Sequence, residues 1–349
     1  MPGKNKKMKA AILYGPQDVR LEEIDIPEIG PGDVLLKVKA ALTCGTDAKV
    51  FLRGGHPRMI KPPAVFGHEF SGEVARVGRA VKDFHPGMRV VAANSAPCGK
   101  CFFCKIGRQS LCDNLLYING GYAEYVRIPE RVTRQNLLEI PQNVSFAQAA
   151  LVEPLACVVH GVEESNIEPG NWVAINGAGP IGLFFVALVK LKGARPVAID
   201  VLPERLQRAR KLGAEALIDA GPGVDVVEKV KELTEEGRGA DVAIDATGVP
   251  EVWEKALRMV RKGGLVNLFG GCAPGTKIEV DTALLHYSEL TIKGVYHHTP
   301  GYVRQALGLI REGKIDTGLF ITKELPLEKI TEALKLIINH QGVKTAVIP

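Results

Sequence analysis

No stretch of this chain approaches the roughly 20 consecutive apolar residues that a membrane-spanning helix requires. The chain also lacks a large charge excess, because 44 lysines and arginines stand against 39 aspartates and glutamates, spread along the sequence. Such a balance provides no basic face for nucleic acid. The lysine-rich start runs into a strand pattern rather than into the apolar core of a secretion signal. We therefore expect a cytoplasmic protein with neither a membrane nor a nucleic acid as partner.

Internal repeats and low-complexity segments are absent as well. Of the 349 residues, 46% are hydrophobic and 24% are charged. These values describe an ordinary globular protein with enough apolar residues for a large core. At this length, two domains are the natural expectation.

Cysteine is scarce, but four of the seven cysteines lie within fifteen positions, as Cys98, Cys101, Cys104 and Cys112. Four thiols at this spacing can form the tetrahedral cage of a structural Zn²⁺. The surrounding lobe, about residues 95–115, has little apolar surface of its own, so metal binding would supply its folding free energy. Two disulfides are one alternative, which the close spacing disfavours. A zinc ribbon for nucleic acid is the other, which the enzyme-like pattern of the long chain disfavours.

The middle of the chain alternates short apolar segments with amphipathic ones. The apolar segments predict strands at 172–176, 196–200, 215–219, 241–246, 265–269 and 290–296, and the amphipathic ones predict helices at 181–192, 203–212, 224–236 and 250–261. Gly193, Gly213, Gly237 and Gly263 are expected to end these four helices. Six strands joined by helical crossovers predict an α/β domain with a doubly wound parallel sheet of the dinucleotide-binding kind.

Short alternating strands broken by glycine and proline predict a compact β-rich domain in roughly the first 150 residues. These strands are expected at 8–14, 34–40, 72–77 and 89–92. After the middle region come two amphipathic helices and a last strand, at 303–312, 327–339 and 345–349. We expect this last strand to pair within the first domain.

A glycine motif for a dinucleotide lies at the start of the predicted helix at 181–192. Gly177, Gly179 and Gly182 form the G-x-G-x-x-G pattern directly after a strand, and Pro180 and Ile181 complete the motif. The glycines permit a tight turn, close approach of a pyrophosphate and contact between helix and strand. The helix N-terminus then offers its N–H groups to the phosphates.

Asp200 ends the next strand, eighteen residues after the last glycine of the motif. A carboxylate there accepts both ribose hydroxyls and repels a 2′-phosphate, which favours NAD over NADP. Arg205 could recruit that phosphate, although an exposed position on the following helix explains it as well. Thr247, Phe269 and Val295 lie at other strand ends, where the nicotinamide half is expected, although the need for turns there explains these stretches equally.

A second metal site is predicted from Cys44, His68, Glu69 and Glu153. Cys44 opens a Cys-Gly-Thr-Asp motif, His68 and Glu69 end a Gly-His-Glu motif 24 residues later, and Glu153 begins an apolar helical stretch. A thiolate, an imidazole and carboxylates make a zinc site with room for a substrate oxygen. Each residue alone would more often belong to a packed core. Their company with a zinc lobe and a dinucleotide motif favours catalysis.

These motifs resemble those of the zinc-dependent medium-chain alcohol dehydrogenases, and the resemblance covers the whole chain. It rests on the Cys-Gly-Thr-Asp motif, the stretch Gly-His-Glu-Phe-Ser-Gly-Glu, the four-cysteine lobe, Glu153 with its following proline, and the glycine motif. It implies a GroES-like catalytic domain over residues 1–155, a Rossmann NAD-binding domain over 156–295, and a C-terminal segment, 296–349, that returns to the catalytic domain.

The resemblance is to the sorbitol and threonine dehydrogenase branch, because Glu153 stands where ethanol-type enzymes have a second cysteine. It implies a catalytic zinc on Cys44 and His68, with Glu69 or Glu153 bound directly or through water. Cys157 is a rival ligand, since it follows Glu153 by one helical turn.

In this family the zinc activates the alcohol, hydride passes to the nicotinamide ring, and a hydroxyl that corresponds to Thr46 takes the proton. Many relatives have a histidine three residues later, which passes the proton to solvent, but this chain has Lys49 there. An ordinary lysine stays charged at pH 7 and relays protons poorly. Lys49 is therefore a relay with a lowered pKa, a ligand of the cofactor's ribose or pyrophosphate, or a bystander while another group takes over.

We expect an NAD-dependent dehydrogenase with two zinc ions per chain, acting on a secondary alcohol or the corresponding ketone, namely a polyol or a related hydroxy compound. An L-threonine 3-dehydrogenase and a simple secondary-alcohol oxidoreductase are the alternatives among enzymes. A non-catalytic protein that binds nucleotide or zinc is the alternative of another class. The sixth strand would leave an exposed sheet edge in a monomer. We expect a homotetramer, as the branch resemblance implies, with a dimer as the alternative.

Overall fold

The computed structural model describes residues 6–56 and 58–349. The chain forms two compact units: the first consists of the residues up to Ala156 together with His298–Pro349, and the second of Cys157–His297. Among the described helices, none has the length and apolar character needed to cross a membrane.

The helices and strands fall into three stretches of the chain. The first stretch contains β1 (Lys7–Gly15), β2 (Asp18–Asp25), β3 (Val34–Leu42), α1 (Gly45–Arg53), β4 (Ala64–Val65), β5 (Glu69–Val77), β6 (Arg89–Ala92), β7 (Ser95–Ala96), α2 (Phe102–Lys105), β8 (Leu116–Tyr117), β9 (Tyr125–Ile128), α3 (Glu130–Asn136), β10 (Leu137–Glu139), α4 (Phe146–Ala150) and α5 (Val152–Glu163). The second contains β11 (Trp172–Asn176), α6 (Pro180–Leu191), β12 (Arg195–Asp200), α7 (Pro203–Lys211), β13 (Ala216–Asp219), α8 (Val226–Glu232), β14 (Ala240–Asp245), α9 (Pro250–Met259), β15 (Val260–Leu268), α10 (Thr282–Tyr287) and β16 (Thr291–Gly294). The third contains α11 (Pro300–Arg311), β17 (Ile321–Pro326), α12 (Ile330–Ile338) and β18 (Lys344–Ile348).

The first unit is β-rich, as predicted. Its largest sheet runs β10-β6-β5-β3-β18-β17, with β9 also paired to β3, and a smaller sheet runs β2-β1-β4. The apolar sides of β3, β5 and β6 face a core that also takes in fully buried Tyr122 and Phe70. The predicted last strand, β18, pairs antiparallel with β3 through Ala346 and Val347. The expectation that this strand pairs with the first part of the chain is therefore confirmed.

The second unit contains six parallel strands in the order β13-β12-β11-β14-β15-β16. Helices cover both faces of such a sheet, so its central strands are apolar on both sides, and Val173, Ala174 and Ile175 of β11 are fully buried. The strand order reverses between β11 and β14, which is where doubly wound sheets bind ligands. The predicted fold class is confirmed.

Of the four glycines expected to end helices, two follow a helix directly and two do not. Gly193 and Gly213 follow α6 and α7 with φ of 75° and 96°, the left-handed conformation that glycine adopts most easily. By contrast, α8 ends five residues before Gly237, which closes a separate 3₁₀ turn. Gly263 lies inside β15, because α9 already ends at Met259. The strand begins early, since its first residue pairs with β14 and the glycines then form a bulge.

Candidate active site

Two neighbouring strands of the first unit bring a thiol, an imidazole and a carboxylate together. Leu42, near the end of β3, pairs with Glu69 at the start of β5. Cys44 follows β3 as the N-cap of α1, and His68 directly precedes β5. As a result, Sγ of Cys44, a ring nitrogen of His68 and a carboxylate oxygen of Glu69 lie within 4.8 Å of one another. This donor set suits zinc.

Asp47 holds the imidazole of His68 in place. Nδ1 of His68 lies 3.0 Å from Oδ1 of Asp47, whose side chain is fully buried. A hydrogen on Nδ1 can be donated to this carboxylate, and in that tautomer Nε2 is left for a metal. Burial alone would lower the pKa of His68, but Asp47 and the Cys44 thiol outweigh burial and raise this pKa well above its ordinary value.

The second oxygen of Asp47 accepts two further hydrogen bonds. The amide of Cys44 donates to Oδ2 at 3.1 Å, which caps α1, and the hydroxyl of Tyr122 donates to it at 2.7 Å. Sequence reasoning gave no role to Asp47 and missed Tyr122. The spacing of Asp47 in the Cys-Gly-Thr-Asp motif, three residues after a helix N-cap, is the capping-box signal that could have identified the first of them.

Glu69 is engaged by a residue that sequence reasoning did not single out. Nζ of Lys344, in β18, donates to Oε1 and Oε2 of Glu69 at 2.7 and 2.6 Å and to the carbonyl oxygen of Thr43 at 3.1 Å. Both side chains are buried. Burial would lower the pKa of Lys344, but Glu69, Cys44 and Glu153 together outweigh burial and raise this pKa.

Glu153 lies outside the three-residue group, in the first turn of α5. It is buried, and burial raises its pKa to about 7 against the opposing effect of His68. Oε1 of Glu153 is 3.8 Å from Nε2 of His298, which in turn lies 3.1 Å from the side-chain oxygen of Asn94. The rival ligand Cys157 is half-buried and belongs to no metal-compatible group of the described residues.

The two residues expected to handle the proton lie on α1. Thr46 is half-buried in the first turn, where its amide donates to Sγ of Cys44 at 3.4 Å. Lys49 is exposed to solvent.

The four lobe cysteines converge as a zinc site requires. Their sulfur atoms lie within 4.8 Å of one another, and all four are free thiols. Sγ of Cys101 and Sγ of Cys112 are 3.8 Å apart. A tetrahedron with Zn–S bonds of about 2.3 Å has edges of about 3.8 Å, so the lobe fits the metal. The backbone N–H groups of Lys100 and Cys101 lower the pKa of Cys98 to about 6, which favours the thiolate that zinc binds. Burial raises the pKa of Cys104 to about 12, so in the absence of metal this cysteine favours the neutral thiol.

The glycine motif of the second unit is built for close approach of a ligand. Gly177 has a φ of 88°, and a Cβ on Gly182 would lie 1.7 Å from the carbonyl oxygen of Gly177. Gly179 is the N-cap of α6 and has only the Arg205 guanidinium, at 4.0 Å, near its absent side chain. Pro180 is the first residue of the helix and Ile181 the second. The helix N-terminus therefore has room for a phosphate.

Asp200 lies where a ribose is expected, at the end of β12. Its carboxylate is buried and accepts hydrogen bonds from the amides of Ala178 at 2.7 Å and Leu202 at 2.9 Å. Arg205 approaches to 3.6 Å through Nη1. The structure thus brings the glycine motif, Asp200 and Arg205 together.

Asp245, at the end of β14, fixes two of the other expected cofactor segments. Its carboxylate accepts from the amide and hydroxyl of Thr247, the amide of Gly248 and the indole of Trp253, at 2.6–3.1 Å. Its backbone oxygen accepts from the amide of Phe269 at 3.1 Å. An aspartate at the end of a parallel strand was the signal that sequence reasoning missed.

The remaining expected cofactor residues differ in how they relate to the glycine motif. The methyl group of Thr247 would be 2.8 Å from a Cβ on Gly177, so Thr247 lies against the glycine motif. The ring of Phe269 packs edge-on to Phe185 at 5.0 Å, which leaves mainly its backbone for a ligand. Val295 is buried one residue beyond β16, and no described contact links it to the motif.

Comparisons with known proteins match both units. Residues 30–142 match the model of the alcohol dehydrogenase GroES-like domain, and residues 180–312 match that of zinc-binding dehydrogenases. The sorbitol dehydrogenase of Bacillus subtilis (strain 168) is 31% identical over 99% of this chain and 98% of its own. An L-threonine 3-dehydrogenase of Rhizobium johnstonii is 32% identical over 97% of each chain. A solved structure from Sinorhizobium meliloti 1021, described as a zinc-binding dehydrogenase bound to NADP, is 34% identical, with a TM-score of 0.89 over 99% of this chain and 100% of that one.

Proposed function

Because this chain belongs to the zinc-dependent medium-chain alcohol dehydrogenase family, we propose that it transfers hydride between a secondary alcohol and NAD. The secondary alcohol is a polyol or a related hydroxy compound. The observation that carries the proposal is the convergence of Cys44, His68 and Glu69 within 4.8 Å. These three donor types fit a zinc ion that keeps a position open for a reacting oxygen. When bound, that ion would supply a Lewis acid for the alcohol oxygen.

The residues around the centre would orient the reaction. Asp47 holds the His68 ring through Nδ1, so that the other ring nitrogen would be available to hold the metal. Glu153 is a buried carboxylate that can complete the ligand set, and its pKa of about 7 reflects its burial. Thr46, half-buried in the same helical turn as Asp47, is the group we assign to accept the alcohol proton.

We propose NAD as the preferred cofactor, with the nicotinamide ring as hydride acceptor. Asp200 supports this preference, because a buried carboxylate at the ribose position repels a 2′-phosphate. Arg205, 3.6 Å from Asp200, and the NADP bound by the Sinorhizobium meliloti relative make a direct test necessary. We expect kcat/KM to be higher with NAD than with NADP. Asp200→Ala should reduce the ratio of kcat/KM with NAD to kcat/KM with NADP. A higher kcat/KM with NADP in the wild-type protein would overturn the preference.

We also propose two zinc ions per chain, one at Cys44 and one in the four-cysteine lobe. Metal analysis of the purified protein should find about two zinc ions, and about one in Cys44→Ser. We further propose a cytoplasmic location and a homo-oligomer, because β16 lies at the end of its sheet, where an unpaired edge favours association. The branch resemblance supports a homotetramer. Light scattering distinguishes the tetramer from a dimer.

Turnover assays with NAD across polyols, simple secondary alcohols and L-threonine test the activity. Oxidation of polyols that is absent in Cys44→Ser is the expected result. Oxidation of L-threonine alone would favour the second candidate, for which the Rhizobium johnstonii relative is the supporting observation. No turnover across the panel, with zinc and NAD both bound, would favour a binding protein without catalysis.

A further inference from the structure

The part of the chain that connects Cys44 to His68 is basic. Residues 48–68 contain neither aspartate nor glutamate. They carry four positively charged residues: Lys49, Arg53, Arg58 and Lys61. All four side chains are exposed to solvent. Because the whole chain has 44 basic residues against 39 acidic ones, this segment is a local excess of positive charge and not a sample of the average surface.

The flanking carboxylates do not neutralise this charge. Asp47 and Glu69, which lie on either side of the segment, are fully buried and bind His68 and Lys344. Within residues 6–56 and 58–349, no carboxylate lies within ion-pair distance of any of the four exposed cations. Their positive charge is therefore available to a ligand.

Part of this segment forms a compact turn that follows α1 directly. We call residues 53–56 and 58–61 the basic loop. His56 and Ile60 exchange two backbone hydrogen bonds, at 2.9 and 3.2 Å. Nδ1 of His56 also accepts hydrogen bonds from the amides of Arg58 and Met59, both at 3.2 Å. These bonds hold the backbone of Arg58 in a defined position.

Two hydrogen bonds from consecutive residues place the basic loop beside the candidate ligand His68. The side-chain amide of Asn119 donates to the carbonyl oxygen of Met59 at 3.0 Å. The amide of Gly120 donates to the carbonyl oxygen of Gly67, the residue before His68, at 2.9 Å. Because Asn119 and Gly120 are adjacent in the chain, the loop and His68 are neighbours in space.

The ring of His56 lies among these positive charges. Burial lowers the pKa of His56, and the charges of His68, Arg58 and Arg53 lower this pKa further. The ring therefore favours its neutral form, in which Nδ1 accepts and Nε2 carries the hydrogen. A neutral N–H donor with two guanidinium groups nearby suits an anionic oxygen group, since charge-assisted hydrogen bonds from arginine to carboxylate and phosphate are the strong ones.

We propose that the alcohol oxidised by this protein carries an anionic group, a carboxylate or a phosphate, which the basic loop binds with Arg58 as its principal contact. This inference rests on the proposed function, since it names the class of hydroxy compound that the zinc centre takes. The reaction is unchanged: the carbinol C–H is transferred to NAD as hydride, the hydroxyl proton is released, and a ketone forms with the anionic group intact. L-Threonine fits less well, because its ammonium group would be repelled by the same cations.

Matched substrates test the inference directly. Sorbitol is compared with gluconate and sorbitol 6-phosphate, and xylitol with xylonate and xylitol 5-phosphate, all with saturating NAD. In each set at least one anion should have a kcat/KM about tenfold higher than the neutral polyol, chiefly through a lower KM. The better anion of each set identifies the group as carboxylate or phosphate. A kcat/KM for the neutral polyols equal to or above that of both anions would overturn the inference.

Ionic strength supplies a measurement that needs no substitution. Raising the salt concentration from about 0.05 M to about 0.5 M should reduce the preference for the anion, because salt screens exposed charges. The kcat/KM for the neutral polyol should not change. A preference that is insensitive to salt would assign it to contacts other than the exposed cations and overturn the role of the basic loop.

Three variants assign the effect to one side chain. Arg58→Met should raise KM for the anion about tenfold and leave the neutral polyol unaffected. Arg58→Lys should retain part of the preference, since lysine keeps the charge but not the paired hydrogen bonds. Arg79→Met, which removes another exposed arginine two residues beyond the far end of β5, is the matched control and should change nothing. An undiminished preference in Arg58→Met would overturn the proposal.

The phosphates of the dinucleotide are a competing source of negative charge. The Kd of NAD, measured by quenching of protein fluorescence, should be the same in Arg58→Met and in the wild-type protein. A raised Kd, with an equal loss of kcat/KM for anionic and neutral substrates, would assign the cations to the cofactor and overturn the inference. Absence of turnover with all six substrates, with zinc and NAD bound, would count against the proposed function itself. Turnover without preference for anions would overturn only the role of the basic loop.

Discussion

Replacing Tyr122 by phenylalanine removes one hydroxyl from the hydrogen-bond network around the candidate zinc centre and leaves the ring in place. The ring packs edge-on against Phe66 at 5.0 Å, a contact that phenylalanine retains. The hydroxyl donates to Oδ2 of Asp47 at 2.7 Å, with the backbone oxygen of Leu42 as a more distant acceptor at 3.1 Å, in a position shielded from water. Burial, together with Asp47, raises the pKa of Tyr122 well above its ordinary value, so the hydroxyl remains a donor at neutral pH.

The expected loss follows from the charge of the acceptor. A hydrogen bond to a charged group contributes about 1.5–3 kcal/mol, and Asp47 retains its bonds to His68 and to the amide of Cys44. We therefore expect the free energy of local opening around β5 to fall by about 2 kcal/mol, which corresponds to a roughly 30-fold rise in the opening equilibrium constant.

Amide hydrogen exchange measured by mass spectrometry can detect this change. Peptides from β3 and β5 should exchange about 30-fold faster in Tyr122→Phe, since exchange under native conditions follows the opening equilibrium. Peptides from β11 and β14, in the second unit, should be unchanged. Tyr125→Phe, which removes a hydroxyl from a half-buried tyrosine of β9, serves as the matched control. A change below about twofold in β5 would refute the reasoning, because such a value leaves no room for a charge-assisted bond.

Three other substitutions test the remaining parts of the site. Gly182→Ala should abolish dinucleotide binding and lower the melting temperature, because the new Cβ would lie 1.7 Å from a backbone oxygen. The control Gly308→Ala places its Cβ in open space and should be tolerated, so equal effects of the two substitutions would contradict the close packing at Gly182. Asp245→Asn should weaken dinucleotide binding about tenfold, a loss of about 1.4 kcal/mol, because an amide side chain cannot accept all the hydrogen bonds that hold the Thr247 segment. Quenching of protein fluorescence measures the Kd, and an unchanged Kd would show that this segment does not contact the cofactor. Cys104→Ser should remove one zinc ion per chain and destabilise the lobe, for which metal binding supplies on the order of 10 kcal/mol; an unchanged zinc content would argue against the four-cysteine site.

Local patterns in the sequence were enough to predict the fold class and to identify most of the candidate ligands. The glycine motif and the helix after it form one local unit, and α6 begins within one residue of the predicted start. Cys44, His68 and the four lobe cysteines were recognisable because short motifs carry them. The predicted boundary between α9 and β15 was wrong, because pairing with β14 extends the strand back to Val260. Gly263 by itself does not reveal that pairing.

The residues that support the ligands could not be predicted in the same way. Lys344 contacts Glu69 across 275 positions of sequence, and Tyr122 contacts Asp47 across 75. Such partners are determined by strand order and register, which a single sequence does not specify. Neither residue lies in a recognisable motif, so only the folded chain reveals its role.

The pairing of β18 with β3 also determines the order in which the protein can assemble on the ribosome. The second unit is one continuous segment, Cys157–His297, and has all its strands once that segment has been synthesised. The first unit begins earlier in the chain but must wait for β18, some 300 residues after β3. Since domains generally fold as units during synthesis, the part of the protein that is translated first completes its fold last. Until then, part of the edge of β3 is unpaired and Glu69 lacks its cation, so the nascent chain depends longest on protection from aggregation around the candidate zinc centre.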